Sequence, residues 1–260
     1  MATVHTPDSP TYHVMTLPPR RKLAHDAALA WLREGYRYFG RARGLSLAYG
    51  GIFAAIGMLI TWLGLSRPQF VLTFWTGFLL VGPLFAMGLY RIAQLQDGGK
   101  SVRLTTCLDV LRSRLGSVAL FSLLLSLVMI AWIRFSTLAA ALYVGNVAGA
   151  SGFIAALGSP EGIGFLAVLF SVGALFAALM FALTAWSLPL VLDARVDFGT
   201  AIATSVKATI EQPLPMLAWG SLVATLTIIG MLTFFLAFVV IFPWLGYATW
   251  AAYKDLFARD

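Results

Sequence analysis

Apolar positions run along this chain in long uninterrupted stretches, not in the alternation of a half-buried strand. Between Arg43 and Arg67 lie 23 uncharged residues, between Arg67 and Arg91 another 23, and between Arg114 and Arg134 there are 19. Glu161 to Asp193 leaves 31, and Glu211 to Lys254 leaves 42. A helix crossing the hydrocarbon core of a bilayer needs roughly 20 such residues. The pattern predicts an all-α fold, a polytopic membrane helical bundle of about six transmembrane helices, at 45–64, 70–90, 116–134, 164–188, 214–232 and 236–253. As one helix, the final uncharged stretch would measure ~62 Å at 1.5 Å per residue, about twice the hydrocarbon thickness. Two passes are therefore expected there, although no polar turn separates them. The interval 135–160, rich in Gly, Ala, Ser and Asn, reads as a surface or half-inserted excursion.

Shorter segments show helical amphipathicity. Over 24–42, Asp26, Arg33, Glu34, Arg37 and Arg41 fall on one side of a helical projection, and Ala28, Trp31, Leu32, Tyr36 and Phe39 on the other. Such a helix lies in the membrane interface, with Trp31 at headgroup depth and Arg33, Arg37 and Arg41 towards water, lipid phosphates or a partner. A second amphipathic segment is 101–115, with Leu104, Leu108, Leu111 and Leu115 on one stripe. In the third, 198–211, Phe198, Ile202, Val206 and Ile210 oppose Thr200, Thr204, Lys207 and Glu211. Each precedes an outward-going span, and each returning span carries a proline: Pro83, Pro189 and Pro243. The layout suggests three hairpins, each preceded by an interfacial amphipathic helix; chance recurrence of amphipathic connectors is the alternative. Residues 1–22, ending in Pro18-Pro19-Arg20-Arg21-Lys22, read as a flexible basic N-terminal tail, and 23–260 as a single membrane domain.

Composition agrees with this class. Apolar residues make up 60% of the chain and charged residues 11%, against about 25% charged in soluble domains. The net charge of +7 needs no nucleic acid to explain it. Sixteen of the eighteen Lys and Arg fall on one side of the expected topology, which makes that side cytoplasmic and places both termini there, in a bacterial inner membrane. Residues 1–43 contain no apolar region of a secretory signal. The single Cys107 excludes a disulfide framework or a multi-cysteine metal site.

Four stretches carry a family resemblance. They are Trp31-Leu32-Arg33-Glu34-Gly35-Tyr36-Arg37 with Ser46-Leu47-Ala48-Tyr49-Gly50; Val81-Gly82-Pro83-Leu84-Phe85-Ala86-Met87-Gly88-Leu89-Tyr90; Ser187-Leu188-Pro189-Leu190-Val191-Leu192-Asp193-Ala194-Arg195-Val196-Asp197; and Gly246-Tyr247-Ala248-Thr249-Trp250-Ala251-Ala252-Tyr253-Lys254-Asp255-Leu256. Together they resemble the proteobacterial family of predicted integral membrane proteins of unknown function, some of whose members are labelled cytochrome c oxidase subunit I-like. The resemblance runs from about residue 30 onwards and implies an inner-membrane location, but no activity. Members of that family commonly carry histidine at the positions held here by Tyr247 and Ala251, so any metal chemistry of the family at that point is lost from this chain.

The candidate chemistry is sparse. Haem iron and copper need imidazoles within the bundle, yet His5, His13 and His25 all precede the first hydrophobic run. No catalytic, metal or cofactor site is assigned, and the expected cofactors are none. No Asp or Glu falls within an expected span, where a proton- or ion-coupled transporter usually keeps one. Arg134 either snorkels to the outer headgroups or pairs with Glu161. The prolines mark either kinks or a broken-helix binding site. Asp193, Arg195 and Asp197 form a charged knot, a possible cytoplasmic docking point, with Asp197 placed to cap the following helix. Small residues four apart, Gly50 with Ala54, Gly51 with Ala55, Gly173 with Ala177 and Ala174 with Ala178, allow close helix packing. The expectation is a non-catalytic accessory subunit or assembly factor of a larger inner-membrane complex, respiratory or photosynthetic, whose partners are the lipid bilayer and other membrane proteins. The alternative is a small passive transporter or channel.

Overall fold

The computed structural model describes residues 21–24, 26–65, 71–102, 115–143, 155, 158–194 and 196–257. It is the expected polytopic helical bundle. Its helices are α1 (Ala27–Arg41), α2 (Arg43–Gly64), α3 (Val71–Asp97), α4 (Leu115–Tyr143), α5 (Pro160–Thr184), α6 (Ser187–Asp193), α7 (Phe198–Glu211), α8 (Pro213–Leu232) and α9 (Phe238–Leu256). Among the described residues, five stretches are long and apolar enough to cross a membrane by length and composition: Arg43–Gly64, Phe74–Asp97, Gly116–Tyr143, Pro160–Asp193 and Pro213–Leu232. The sixth expected span is α9, and its character differs. Tyr247, Thr249, Trp250, Tyr253 and Lys254 make it the more polar helix, yet 13 of its 19 residues are buried, against α1, α2, α3 and α8.

Side-chain pairings fix the directions of the helices. Ser46 meets Tyr247, while Gly50 approaches Val239 and Gly57 approaches Phe235, so α9 runs antiparallel to α2. Gly88 lies against Tyr49 and Gly64 against Val71, which makes α2 and α3 antiparallel. Gly173 faces Trp132 and Gly164 faces Tyr143, which does the same for α4 and α5. We call the end of the bundle where α1 lies, and where α3, α6 and α9 finish, the basal end.

Two close backbone approaches set the centre. A Cβ on Gly50 would stand 2.1 Å from the carbonyl oxygen of Val239, and one on Gly35 would stand 2.7 Å from the backbone nitrogen of Ala248. Only glycine lets α1 and α2 lie this close to α9. Beside this contact Phe53 stacks on Phe242 with ring centroids 3.8 Å apart. The hairpin α4–α5 has its own small core of Trp132, Ala139, Phe165 and Leu169.

The element boundaries correct several expectations. Helix α4 does not stop at Arg134 but runs on to Tyr143, because residues 135–143 hold helix-forming Leu and Ala and no proline or glycine. At 29 residues it measures ~43 Å, which a bilayer accommodates by tilt or protrusion. The expected excursion therefore begins no earlier than residue 144, and most of it lies outside the described residues. Helix α5 starts earlier than expected, at Pro160, because Ser159 accepts from the backbone N–H of Gly162 at 3.1 Å. Arg134 and Glu161 are both exposed, so the buried pair is not formed. The fourth span is not one continuous helix: it breaks at Ala185–Trp186, where Pro189 offers no N–H to the carbonyl of Ala185.

The turn joining α8 to α9 does contain a polar group. The Thr233 hydroxyl accepts from the N–H of Ala237 at 3.1 Å. Phe234 and Phe235 adopt φ of 50° and 69°, a region disfavoured for bulky residues. Phe235 holds its place by burying its ring against Trp75 and Phe238.

The repeat gains a geometric counterpart in its first and third copies. Amphipathic α1 joins α2 through Ala42, at φ −133° and ψ 43°; amphipathic α7 joins α8 through Gln212, at φ −131° and ψ 63°. The middle amphipathic segment, 101–115, and Cys107 with it, fall largely outside the described residues.

Candidate functional site

The carboxylates that tie helices of the described bundle together gather at the basal end. Asp97, the last residue of α3, is the hub. Its Oδ1 accepts from the Tyr38 hydroxyl at 2.5 Å. Its Oδ2 accepts from Trp250 Nε1 at 3.0 Å and pairs with Lys254 Nζ at 2.9 Å. Lys254 also donates to the Tyr38 oxygen at 2.5 Å. One carboxylate thus ties α1, α3 and α9 together, and charge-assisted bonds of this kind are about twice as strong as neutral ones. Burial, and then the bond to Asp97, raise the Tyr38 phenol well above its ordinary pKa, so the ring stays neutral and serves as a donor.

Two further carboxylates do the same work nearby. Asp193, at the end of α6, accepts from Gln94 Nε2 at 2.8 Å and from the Tyr253 hydroxyl at 3.0 Å. Asp255 accepts from Trp31 Nε1 at 2.9 Å. The segment preceding α1 is pinned as well: Leu23 N–H donates to Gln212 Oε1 at 2.7 Å, and Arg21 N–H donates to the carbonyl of Leu256 at 2.9 Å. Around these bonds sit four tryptophans, Trp31, Trp186, Trp219 and Trp250, all buried. The Trp31 ring meets Trp219 edge-on at 5.6 Å.

The predicted site residues divide. Trp31 is 2% exposed, so its role as a lipid-facing anchor is corrected: the i, i+4, i+7 spacing of Trp31, Gly35 and Tyr38 turns it into the protein core. Tyr36, assigned to the apolar face, is exposed, while the unassigned Tyr38 is fully buried. Arg33, Arg37 and Arg41 do face outwards. Arg37 pairs with Glu34 at 3.0 Å, and Arg41 lies over the Tyr38 ring at 5.7 Å. Asp197 caps α7 as expected, accepting from Thr200 N at 3.0 Å. Its neighbour Asp193 turns instead into the basal network, and Arg195 lies outside the described residues, as do His5, His13 and His25. Tyr247, one of the two positions where the resembling family carries histidine, holds Ser46 at 2.9 Å.

Sequence reasoning missed Asp97, Tyr38 and Lys254. One signal was present: Asp97 is the first acid after the long apolar run of α3, directly before Gly98-Gly99. The carboxylates of the network are engaged, so it reads as a clamp. Among the described residues, the buried side-chain atoms Arg91 Nε, Gln96 Oε1 and Trp186 Nε1 have no hydrogen-bond partner.

A family model described as "predicted integral membrane protein (DUF2189)" matches residues 70–193. This spans α3 to α6 and agrees with the resemblance read from the sequence over that part of the chain. The motif at Val81–Tyr90 lies within the match, and that beginning at Ser187 ends just beyond it; the stretches at 31–50 and 246–256 fall outside. No curated protein and no solved structure matches the chain.

Proposed function

We propose that this integral membrane protein is a non-catalytic accessory subunit, or an assembly and stabilising factor, of a larger complex in a bacterial inner membrane, the respiratory or photosynthetic chain being the expected host. The observation that carries the reading is the uneven burial of the spans. In α3, 56% of the apolar window is buried within the molecule, against 17% in α4 and 11% in Pro160–Asp193. Along α5, Ala174, Ala177 and Ala178 face outwards beside Phe170 and Leu175. Lipid tails cover such a surface, but a flat small-residue face also admits another helix backbone. The proposed partner is a transmembrane helix of the host complex seated on α5, with the basal end towards the cytoplasm.

Mild-detergent extraction followed by native gels tests this. Wild type is expected to co-migrate with larger proteins, and Ala174→Leu/Ala178→Leu to be released from them while keeping its own fold. Migration only as a free 28.1 kDa species or as a homo-oligomer would sink the accessory role. One feature favours the second reading, a small passive carrier: an open apolar groove of 370 Å³ lined by Ile56, Ile60, Phe74, Phe78 and Met129. Solute flux into vesicles holding the purified chain alone would select it.

A further inference from the structure

At the basal end, the first turn of α2 and the chain leaving α3 enclose an open cleft of 490 Å³, within the ~300–1,000 Å³ of small-ligand sites. Its walls follow from local sequence. Helix α3 stops at Gly98-Gly99, where Gly99 takes φ +63°, a left-handed conformation that glycine adopts without strain. The N–H of Lys100 then bonds the carbonyl of Leu95 at 2.9 Å. This reversal brings Lys100 and Ser101 against Arg41, Arg43 and Gly44, with Gln96 completing the lining.

Three kinds of unused valence converge here. Arg41, Arg43 and Lys100 are exposed cations, and none forms a salt bridge among the described residues. The first-turn amides of α2 have no intrahelical acceptor, as in any helix, and no capping side chain supplies one. Gln96 Oε1 is buried with no donor, its Nε2 being engaged by the carbonyl of Tyr38 at 3.2 Å. The complementary ligand carries a phosphate anion and, beside it, a hydroxyl to donate. Below the cleft, α2 exposes Leu47, Ile52 and Leu59 around the small residues Gly51 and Ala55, an apolar track along which acyl chains can lie.

We propose that this cleft binds the headgroup of an anionic glycerophospholipid of the phosphatidylglycerol class. Arg41, Arg43 and Lys100 hold its phosphate, and a glycerol hydroxyl donates to Gln96 Oε1 once that side chain turns its enclosed oxygen into the cleft. The assignment rests on the basal end lying at a membrane surface, and not on the accessory role.

The test is native mass spectrometry of the full chain in mild detergent, counting retained lipid after adding phosphatidylglycerol, phosphatidylcholine or phosphatidylmethanol. Phosphatidylglycerol is expected to be retained over phosphatidylcholine, and over phosphatidylmethanol, which has the charge but no hydroxyl. Each basic residue at an anionic surface contributes a factor of about five, so Arg43→Gln/Lys100→Gln should lower phosphatidylglycerol affinity roughly thirtyfold. Thermal unfolding of that variant should match wild type, because both side chains are exposed. Equal retention of phosphatidylglycerol and phosphatidylcholine, or unchanged retention in the double variant, overturns the site. Equal retention of phosphatidylmethanol overturns the role given to Gln96. Displacement by millimolar inorganic phosphate overturns the lipid assignment in favour of a soluble phosphate anion. Co-migration on native gels reads the accessory role separately, so failure of either idea leaves the other standing.

Discussion

Asp97 shows how much one carboxylate can hold when two neighbouring helices present donors to it. Its side chain is 30% exposed and that of Lys254 41%, so solvent weakens the pair without removing it. Asp97→Asn keeps the size but not the charge, and is expected to cost about 1.5–3 kcal/mol, the range for hydrogen bonds to charged groups. Lys254→Gln should cost less, because Tyr38 and Trp250 still satisfy the carboxylate. The double variant should lose less than the two single losses together, since both act on one interaction. Thermal unfolding in detergent measures all three, and strict additivity would show that the pair contributes nothing. Asp197 allows a pH test. The Thr200 hydroxyl and amide hold its carboxyl below the usual carboxylate range, so its stabilisation of α7 is fully present above about pH 4. That stabilisation is lost as pH falls through the lowered folded value. Asp197→Ala should therefore cost about 1 kcal/mol at neutral pH and progressively less as pH falls through that lowered value; a pH-independent loss would remove the capping account.

The two faces of α1 separate the forces that hold a helix at a membrane edge. Its inward face contributes Trp31, Gly35 and Tyr38 to the core, while its outward face carries Arg33, Arg37 and Arg41. Trp31→Ala is expected to destabilise the fold by about 3–5 kcal/mol, as for other buried aromatics, and to free Asp255. Replacing the three arginines by glutamine should leave unfolding unchanged and instead reduce salt-sensitive association with anionic membranes or a partner. Wild-type association should weaken as ionic strength rises, whereas the variant's should barely respond. Equal association of both at every salt concentration would leave the arginines without a binding role. The sequence showed α1 because periodicity reports on one element at a time. It did not place Trp31 or Asp97, because their partners Asp255 and Lys254 stand more than 150 residues away. Nor did it mark the end of α4, since residues 135–143 offer no stop signal and Arg134 reads equally well as a boundary or as a surface residue.

At the scale of the molecule, alternating helix directions and the basic side of the chain together give a topology that reporters can read. Fusions after Arg114 and after Leu256 are expected to report the cytoplasm, and a fusion near Gly149 the opposite side. A C-terminal fusion reporting the outer side would detach α9 from the bundle, against its pairing with Asp97. That central helix also bears on biogenesis. The five apolar stretches are long and apolar enough to cross a membrane by length and composition, whereas α9 is mostly buried against other helices, and the ribosome delivers it after every helix it touches. Helices α1 and α2 are therefore made before the helix against which they pack most extensively. The basal network, which needs Trp250 and Lys254, is the part of the fold that synthesis completes last.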